Sequence, residues 1–394
     1  TNPDRDGYHS TSASGHVGYE WATDQSLTLR ALHSRARLAY DNEFGPATQA
    51  DDSVQTIDSV SAVLANRLAS NWPSKFTAAH LRDALDAAVT AYPYTVTSTS
   101  DQFAWQHDVQ LAPDWTATAA AEHLRQHIAS DTSYNTDRRS VNTARAGLLG
   151  KAGAHQLQAN VRYDHFSDFG SATTGYLGYG YALSSALKVS ASVSNGFSAP
   201  TFNDLFYPWG GNPDLKPERS RTAEAGVQYA AGALAARLQL FRSLYRDLIG
   251  YDSAFNRVNI GRASVDGAEL SGDWAAGDWR ARLALTVQNP RNDGDGTRLN
   301  RRAREFGSVQ LARSLGAFDV GATLRATGDR RDMAAGAVQM LGGYGLVDLT
   351  ARWRLRPDLT LTARVDNAFD HRFENAYGYR GTPRGLFAGV EAKL

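Results

Sequence analysis

GLVDLTARWRL, Gly345 to Leu355, places Val347, Leu349, Ala351, Trp353 and Leu355 at alternate positions, with Asp348, Thr350, Arg352 and Arg354 between them. Successive side chains of a strand point to opposite faces, so this stretch reads as a strand with one face in a nonpolar medium and the other wet. A helix would need apolar residues at i, i+3, i+4 and i+7, and the stretch does not supply them.

The same alternation surrounds it. Downstream, Leu359, Leu361, Ala363 and Val365 alternate with Thr360, Thr362, Arg364 and Asp366. Upstream, Trp279, Ala281, Leu283, Leu285 and Val287 alternate with mostly polar residues, as do Phe318, Val320, Ala322 and Leu324. Extended along the chain, the pattern gives about 19 segments of roughly 10 to 16 residues, longer than the strands of most globular sheets. A tilted strand crossing a bilayer needs about 9 to 11 residues plus its extensions.

The connections between segments alternate in kind. Short ones lie at Ala22, Asn71, Lys151, Ala275 and Arg356. Long ones run from Asp41 to Ser53, Ser130 to Arg138, His165 to Thr174, Asn289 to Leu299, Gly328 to Met340 and Asp370 to Arg384. Short turns on one side and long loops on the other predict an all-β fold, a transmembrane antiparallel β-barrel of the outer membrane, with periplasmic turns and extracellular loops.

Composition agrees with that reading. The 394 residues carry 41 basic and 41 acidic side chains, which gives no nucleic-acid footprint, and no cysteine, which excludes disulfides and thiolate metal sites. Mean hydropathy is −0.42, as expected when only one face of each strand meets lipid. No apolar run approaches the roughly 20 residues of a membrane-spanning helix.

The final segment, RGLFAGVEAKL, ends on the short-turn side, whereas the first, YHSTSASGHVGYEW, starts on the long-loop side. A closed bacterial barrel has an even number of strands and both ends in the periplasm. Residues 1–394 are therefore expected to be the C-terminal β-barrel portion of a larger precursor, lacking an odd number of strands at the front.

Ser194 to Ser220, SNGFSAPTFNDLFYPWGGNPDLKPERS, is the longest of the loops and shows no helical or alternating period. Proline fixes φ near −65° in its Pro-Asp and Lys-Pro-Glu turns, which re-aim the chain into the strand beginning near Ser220. Phe202, Leu205, Phe206, Tyr207 and Trp209 offer an apolar, aromatic surface suited to a large, partly apolar ligand, or pack the loop upon itself.

Enzymatic signatures are missing. The ten histidines are scattered, His9, His16 and His33 within predicted strands and His371 in a loop. No His-Glu-x-x-His, phosphate-binding glycine loop or Gly-x-Ser-x-Gly elbow occurs. The chain is not expected to be an enzyme.

The motifs Phe197-Ser198-Ala199-Pro200 and Gly211-Asn212-Pro213-Asp214-Leu215-Lys216-Pro217-Glu218, with the ending RVDNAFDHRFENAYGYRGTPRG, resemble the TonB-dependent receptor family. YGYRGTPR at 377–384 and RLNRRAR at 298–304 resemble its cobalamin (vitamin B12) branch. The resemblance implies a barrel of about 22 strands with a plug in its lumen, of which a start about three strands in would leave about 19. The plug domain, the TonB-binding segment and the first strands are expected to lie outside this chain. The implied partners are cobalamin, the TonB energy-coupling complex and outer-membrane lipopolysaccharide, on a monomeric barrel without nucleic acid.

By the same resemblance, Asp4 and Asp6 match paired calcium ligands, and Asp51 or Asp52 matches a later one. Asp41, Asp51 and Asp52 are expected on one long loop, and clustered carboxylates suit a hard cation such as calcium. Arg301 sits where the family contacts cobalamin, and its planar fork suits amide or phosphate groups. Thr99 matches loosely, and Phe206, Tyr207 and Trp209 complete the candidate ligand surface. The alternatives are a receptor for an iron-siderophore or haem, and a plugless barrel acting as a passive pore or as a surface receptor for phage or colicins.

Overall fold

The computed structural model describes residues 7–40, 51–90, 93–252, 256–334 and 336–393. Its wall begins with five hairpins: β1 (Tyr8–Ala22) and β2 (Gln25–Tyr40), β3 (Asp51–Ala69) and β4 (Trp72–Val89), β5 (Tyr94–Ala112) and β6 (Trp115–Ser130), β7 (Arg138–Ala152) and β8 (His155–Phe166), β9 (Gly170–Ala182) and β10 (Leu187–Ser198). A short helix, α1 (Phe202–Phe206), precedes β11 (Glu218–Ala231), β12 (Leu234–Tyr251), β13 (Arg257–Ala276), β14 (Trp279–Asn292), β15 (Glu305–Leu315) and β16 (Phe318–Thr327). The remainder is β17 (Arg330–Ala334), β18 (Ala337–Leu341), β19 (Tyr344–Arg356), β20 (Leu359–Asp366), β21 (Glu374–Ala376), β22 (Tyr379–Arg380) and β23 (Gly385–Ala392).

Nineteen of these strands form one sheet, and β17–β18 and β21–β22 form two small separate hairpins. Every recorded pairing in the large sheet is antiparallel, each strand beside its sequence neighbour in the wall, so the predicted all-β barrel wall is what the chain builds.

Register turns alternation into two continuous faces. Val189, Val227, Leu238 and Leu270 are directly opposed across four strands, and Ala191, Ala225, Leu240 and Ala268 form the next such row. Between those rows Ser190, Gly226, Gln239 and Glu269 share the opposite face. The apolar face leaves Val193, Leu238, Leu240 and Leu285 exposed. Water would make such a surface an aggregation liability, whereas hydrocarbon matches it.

Six of the eight tryptophans, Trp21, Trp72, Trp115, Trp274, Trp279 and Trp353, lie beside short turns. They form an aromatic girdle at the periplasmic interface. Phe318 stacks on Trp353 there at 5.4 Å. The turns themselves are tight: Gly277 takes φ +56 and Asp24 φ +58, the left-handed geometry that matches strand twist in two-residue hairpins.

Several loops depart from expectation. Asp51 and Asp52 open β3 rather than lying in a loop, because Tyr40 and Ala39 extend the ladder to meet them. The connection predicted over His165 to Thr174 contracts to 167–169, since β8 and β9 stay paired up to Phe166 and Gly170. The stretch read as lacking any helical period contains α1, and the loop predicted over Gly328 to Met340 folds into the β17–β18 hairpin. Among the described residues most buried apolar side chains, such as Leu205, Leu215, Ala303, Leu341 and Leu346, lie at the extracellular end.

Candidate functional site

Among the described residues, the extracellular end carries two braced assemblies. In the first, Thr201 caps α1: the Asp204 amide donates to Thr201 Oγ1 at 3.1 Å, and the Thr201 amide donates back to Asp204 Oδ2 at 2.9 Å. This reciprocal box satisfies donors that a helix start would otherwise leave unpaired. It lets a single turn of helix persist where propensity alone would not hold it. Arg257 pairs with Asp204 at 3.3 Å and lies 4.1 Å from the Tyr251 ring centre, fastening the helix to the tips of β12 and β13.

The Asn-Pro-Asp-Leu-Lys-Pro-Glu turn is fastened in the same way. Asn212 accepts from the Asp214 amide at 3.0 Å and donates to the Arg257 carbonyl at 2.8 Å. Asn259 exchanges hydrogen bonds with the Lys216 backbone at 2.8 Å in both directions, and Glu218 accepts from the Ile249 amide at 2.9 Å. A Cβ at Gly211 would stand 2.6 Å from the Tyr207 amide nitrogen and 2.7 Å from its carbonyl oxygen, so only glycine fits where the turn folds back on α1.

This brace presents the predicted aromatics together. Tyr207 packs between Tyr134, 5.9 Å away, and Trp209, 5.6 Å away in an edge-on contact. Trp209 is 75% exposed, while Phe206 and Tyr207 are half-buried. Tyr134 donates to Asn203, and its phenol is pushed up by burial and then by Tyr207 and Asp131.

The second assembly centres on Arg301, which takes φ +58, an uncommon state for a residue with a side chain. Its amide donates to the Arg331 carbonyl at 2.7 Å, and its Nε donates to Asp332 Oδ1 at 2.9 Å. Asp332 is almost fully buried, whereas the Arg301 side chain stays 58% exposed. Asp332 also accepts from the amides of Met333 and Tyr377, each at 2.8 Å. The Tyr377 amide, then Met333 and Arg301, hold its carboxyl below the usual carboxylate range, although burial pushes the other way.

Neighbouring contacts join the same three loops. Arg298 pairs with Asp329, Arg331 donates to Asn300 at 2.6 Å, and Arg330 donates to the Glu374 carbonyl at 2.6 Å. Arg301 is thus held within the loops through its amide and Nε, and the rest of its guanidinium faces solvent.

Thr99 stands apart from both assemblies. It opposes Arg82 and His127. It also shares its strand face with Phe103 and Trp105, the outward side of the wall. Asp52 is committed to Arg37 at 2.5 Å, and Asp51 is buried. Asp4, Asp6 and Asp41 lie outside the described residues, and among the described residues no three carboxylates or histidines come together to hold a metal. Of the predicted calcium constellation, the described residues hold only the adjacent pair Asp51 and Asp52 at the start of β3.

Sequence reasoning missed Arg139, Asp168, Tyr134 and Asp332. Each acts through a partner distant in sequence, and no local pattern marks it.

A family model described as TonB dependent receptor-like, beta-barrel, matches residues 1–368. The chain belongs to the TonB-dependent receptor family. Among curated relatives of this receptor barrel, Vitamin B12 transporter BtuB of Vibrio vulnificus is 30% identical over 75% of this chain and 50% of its own length. Vitamin B12 transporter BtuB of Photobacterium profundum is 25% identical over 99% of this chain and 66% of its own. The receptor chain therefore spans between half and two thirds of the length of these relatives. Among solved structures, the siderophore receptor PirA from Acinetobacter baumannii superposes with a TM-score of 0.87 at 15% identity, over 99% of this chain and 71% of that one. That likeness concerns the fold. A TonB-dependent receptor barrel is an outer-membrane structure, as the apolar outward face and tryptophan girdle require.

Proposed function

We propose that this barrel is the ligand-capturing and conducting part of a TonB-dependent transporter for cobalamin. The observation that carries the reading is that the extracellular end presents both an exposed aromatic platform, Tyr207 with Trp209, and, in a separate loop assembly, an anchored arginine, Arg301. Cobalamin is large and combines a flat ring, apolar edges and peripheral amides. Aromatic faces suit the first two, and a guanidinium fork suits amide oxygens. The names of the two curated relatives support the same ligand.

The mechanism involves no covalent step. Loops held by the Thr201 cap and the Asp332 junction keep the platform and Arg301 in place before ligand arrives, and the polar inward face lines a wetted route inside the wall. Energy from the TonB complex would act on a plug, which belongs to the whole transporter.

Equilibrium binding of cyanocobalamin to outer membranes carrying the protein tests the proposal. Saturable binding that a ferric siderophore does not displace supports it. Binding of the siderophore instead would replace cobalamin as the ligand, and passive solute flux without binding of either would mark a pore.

A further inference from the structure

All the sulfur of the chain stands on one extracellular hairpin. The 394 residues include two methionines, Met333 and Met340, and no cysteine, so the apolar rows of the wall are filled without either. Both methionines belong to β17–β18, whose two faces differ. Arg330, Asp332 and Leu341 are buried on one face, where Asp332 accepts from Arg301 and Tyr377. Arg331, Met333, Val338 and Met340 alternate with them and form the other, where Met333 is 40% and Met340 60% exposed. This face serves neither the lipid contact of the wall nor the buried junction.

Pairing brings the two thioethers together. Arg331 is directly opposed to Met340, and Met333 to Val338. Met333 and Met340 are therefore diagonal neighbours, about 7 to 8 Å apart in backbone position, a gap that long side chains span. A guanidinium shares their face: Arg331 Nη2 donates to Met333 Sδ at 3.7 Å, while its Nη1 is fixed on Asn300 Oδ1 at 2.6 Å. A thioether sulfur is a weak acceptor, so this charged donor is poorly used as it stands.

We propose that Met333 and Met340 form an oxidation site for peroxides, with Arg331 receiving the transferred oxygen. A lone pair of the Met333 sulfur attacks one peroxide oxygen, the O–O bond breaks and an S–O bond forms. Sulfur loses two electrons. The other oxygen leaves as hydroxide and takes the proton shed by the transferred oxygen, giving the sulfoxide and water. The sulfoxide oxygen is a far stronger acceptor than the thioether, and the Nη2 donor already points at the atom that carries it. The same positive charge disfavours a soft metal cation on these thioethers, which decides between the two chemistries that exposed methionine sulfur offers. Asp332, on the opposite face, keeps its bonds. Reversal takes a thiol reductant, which removes the oxygen as water. The inference is independent of what the loops capture.

The test treats the whole barrel in detergent at neutral pH with hydrogen peroxide, beside a blocked methionine peptide as internal reference. Fragment mass spectrometry of the tryptic peptide 332–352, which carries both methionines, follows each sulfur separately. Exposure alone would place Met340 ahead of Met333. The expected order is the reverse, with Met333 about threefold faster and Arg331→Gln lowering its rate about tenfold, so that Met340 then leads. Arg331→Lys, which keeps the charge and loses the fork, should fall between. The order in the unaltered barrel needs no variant to fold. Met340 ahead of Met333 there, an unchanged order in Arg331→Gln, or either sulfur more than about tenfold slower than the reference peptide would each overturn the inference.

Discussion

Arg139 donates to Asp168 at 2.6 Å with each side chain only 6% exposed, and the same guanidinium donates to the Pro200 carbonyl at 2.9 Å. It also lies 5.0 Å from the Phe202 ring centre and 5.3 Å from that of Phe169. One cation thus ties the start of the aromatic loop to the tops of β7 and β9. Arg139→Ala leaves a buried carboxylate without its partner and should cost about 3 kcal/mol. A lowered melting temperature in detergent and faster proteolysis within 199–217 are the expected readings. Arg139→Met with Asp168→Leu should recover most of that loss.

The cap of α1 predicts a smaller and more local effect. Thr201→Ala should cost about 1 kcal/mol, whereas Gly211→Ala, whose Cβ meets only backbone atoms, should cost about 2 kcal/mol. Both should shift Trp209 fluorescence towards the fully solvated value, Gly211→Ala more strongly. An unchanged spectrum in both would show that the platform does not depend on the turn beneath it.

Protonation of Asp332 predicts the acid limit of the second assembly. Its folded pKa is depressed below the ordinary 3.8, so its contribution is complete above about 3.8 and disappears as pH falls through the lower folded value. The Tyr377 amide resonance should therefore stay constant between about pH 7 and pH 5 and move only below about 4. A shift centred near neutral pH would contradict the Asp332 junction.

If the loops bind cobalamin, Trp209→Ala and Arg301→Gln should each weaken cyanocobalamin binding by about 5- to 30-fold. Thr99→Ala should leave it unchanged, because that side chain lies on the outer face of the wall. The reverse pattern would move the ligand site away from both loop assemblies.

The wall was legible because a bilayer imposes a period of two on every strand, and GLVDLTARWRL carries that period without interruption. Short elements were not. α1 is a single turn held by the Thr201 and Asp204 side chains and by Arg257, which lies far along the chain, so its own residues carry no helical period. The β17–β18 hairpin owes its position to Arg301 and Tyr377, neither within it. Arg301 itself was found through resemblance, and Asp332, which anchors it, has no local signature in DRRDM. Alternation reports which solvent a face meets, while loop structure depends on pairings that linear order conceals.

Because Asp332 accepts from the loops of Arg301 and Tyr377 at once, neither can swing away without breaking bonds to the third. These three loops should therefore move as one cooperative unit. They should lose their conformational freedom when the protein folds and not when ligand arrives. Arrival rates should then be set by diffusion to a ready-made rim, with little dependence on loop motion, and a cross-link between the β17–β18 and β21–β22 hairpins should leave the association rate nearly untouched.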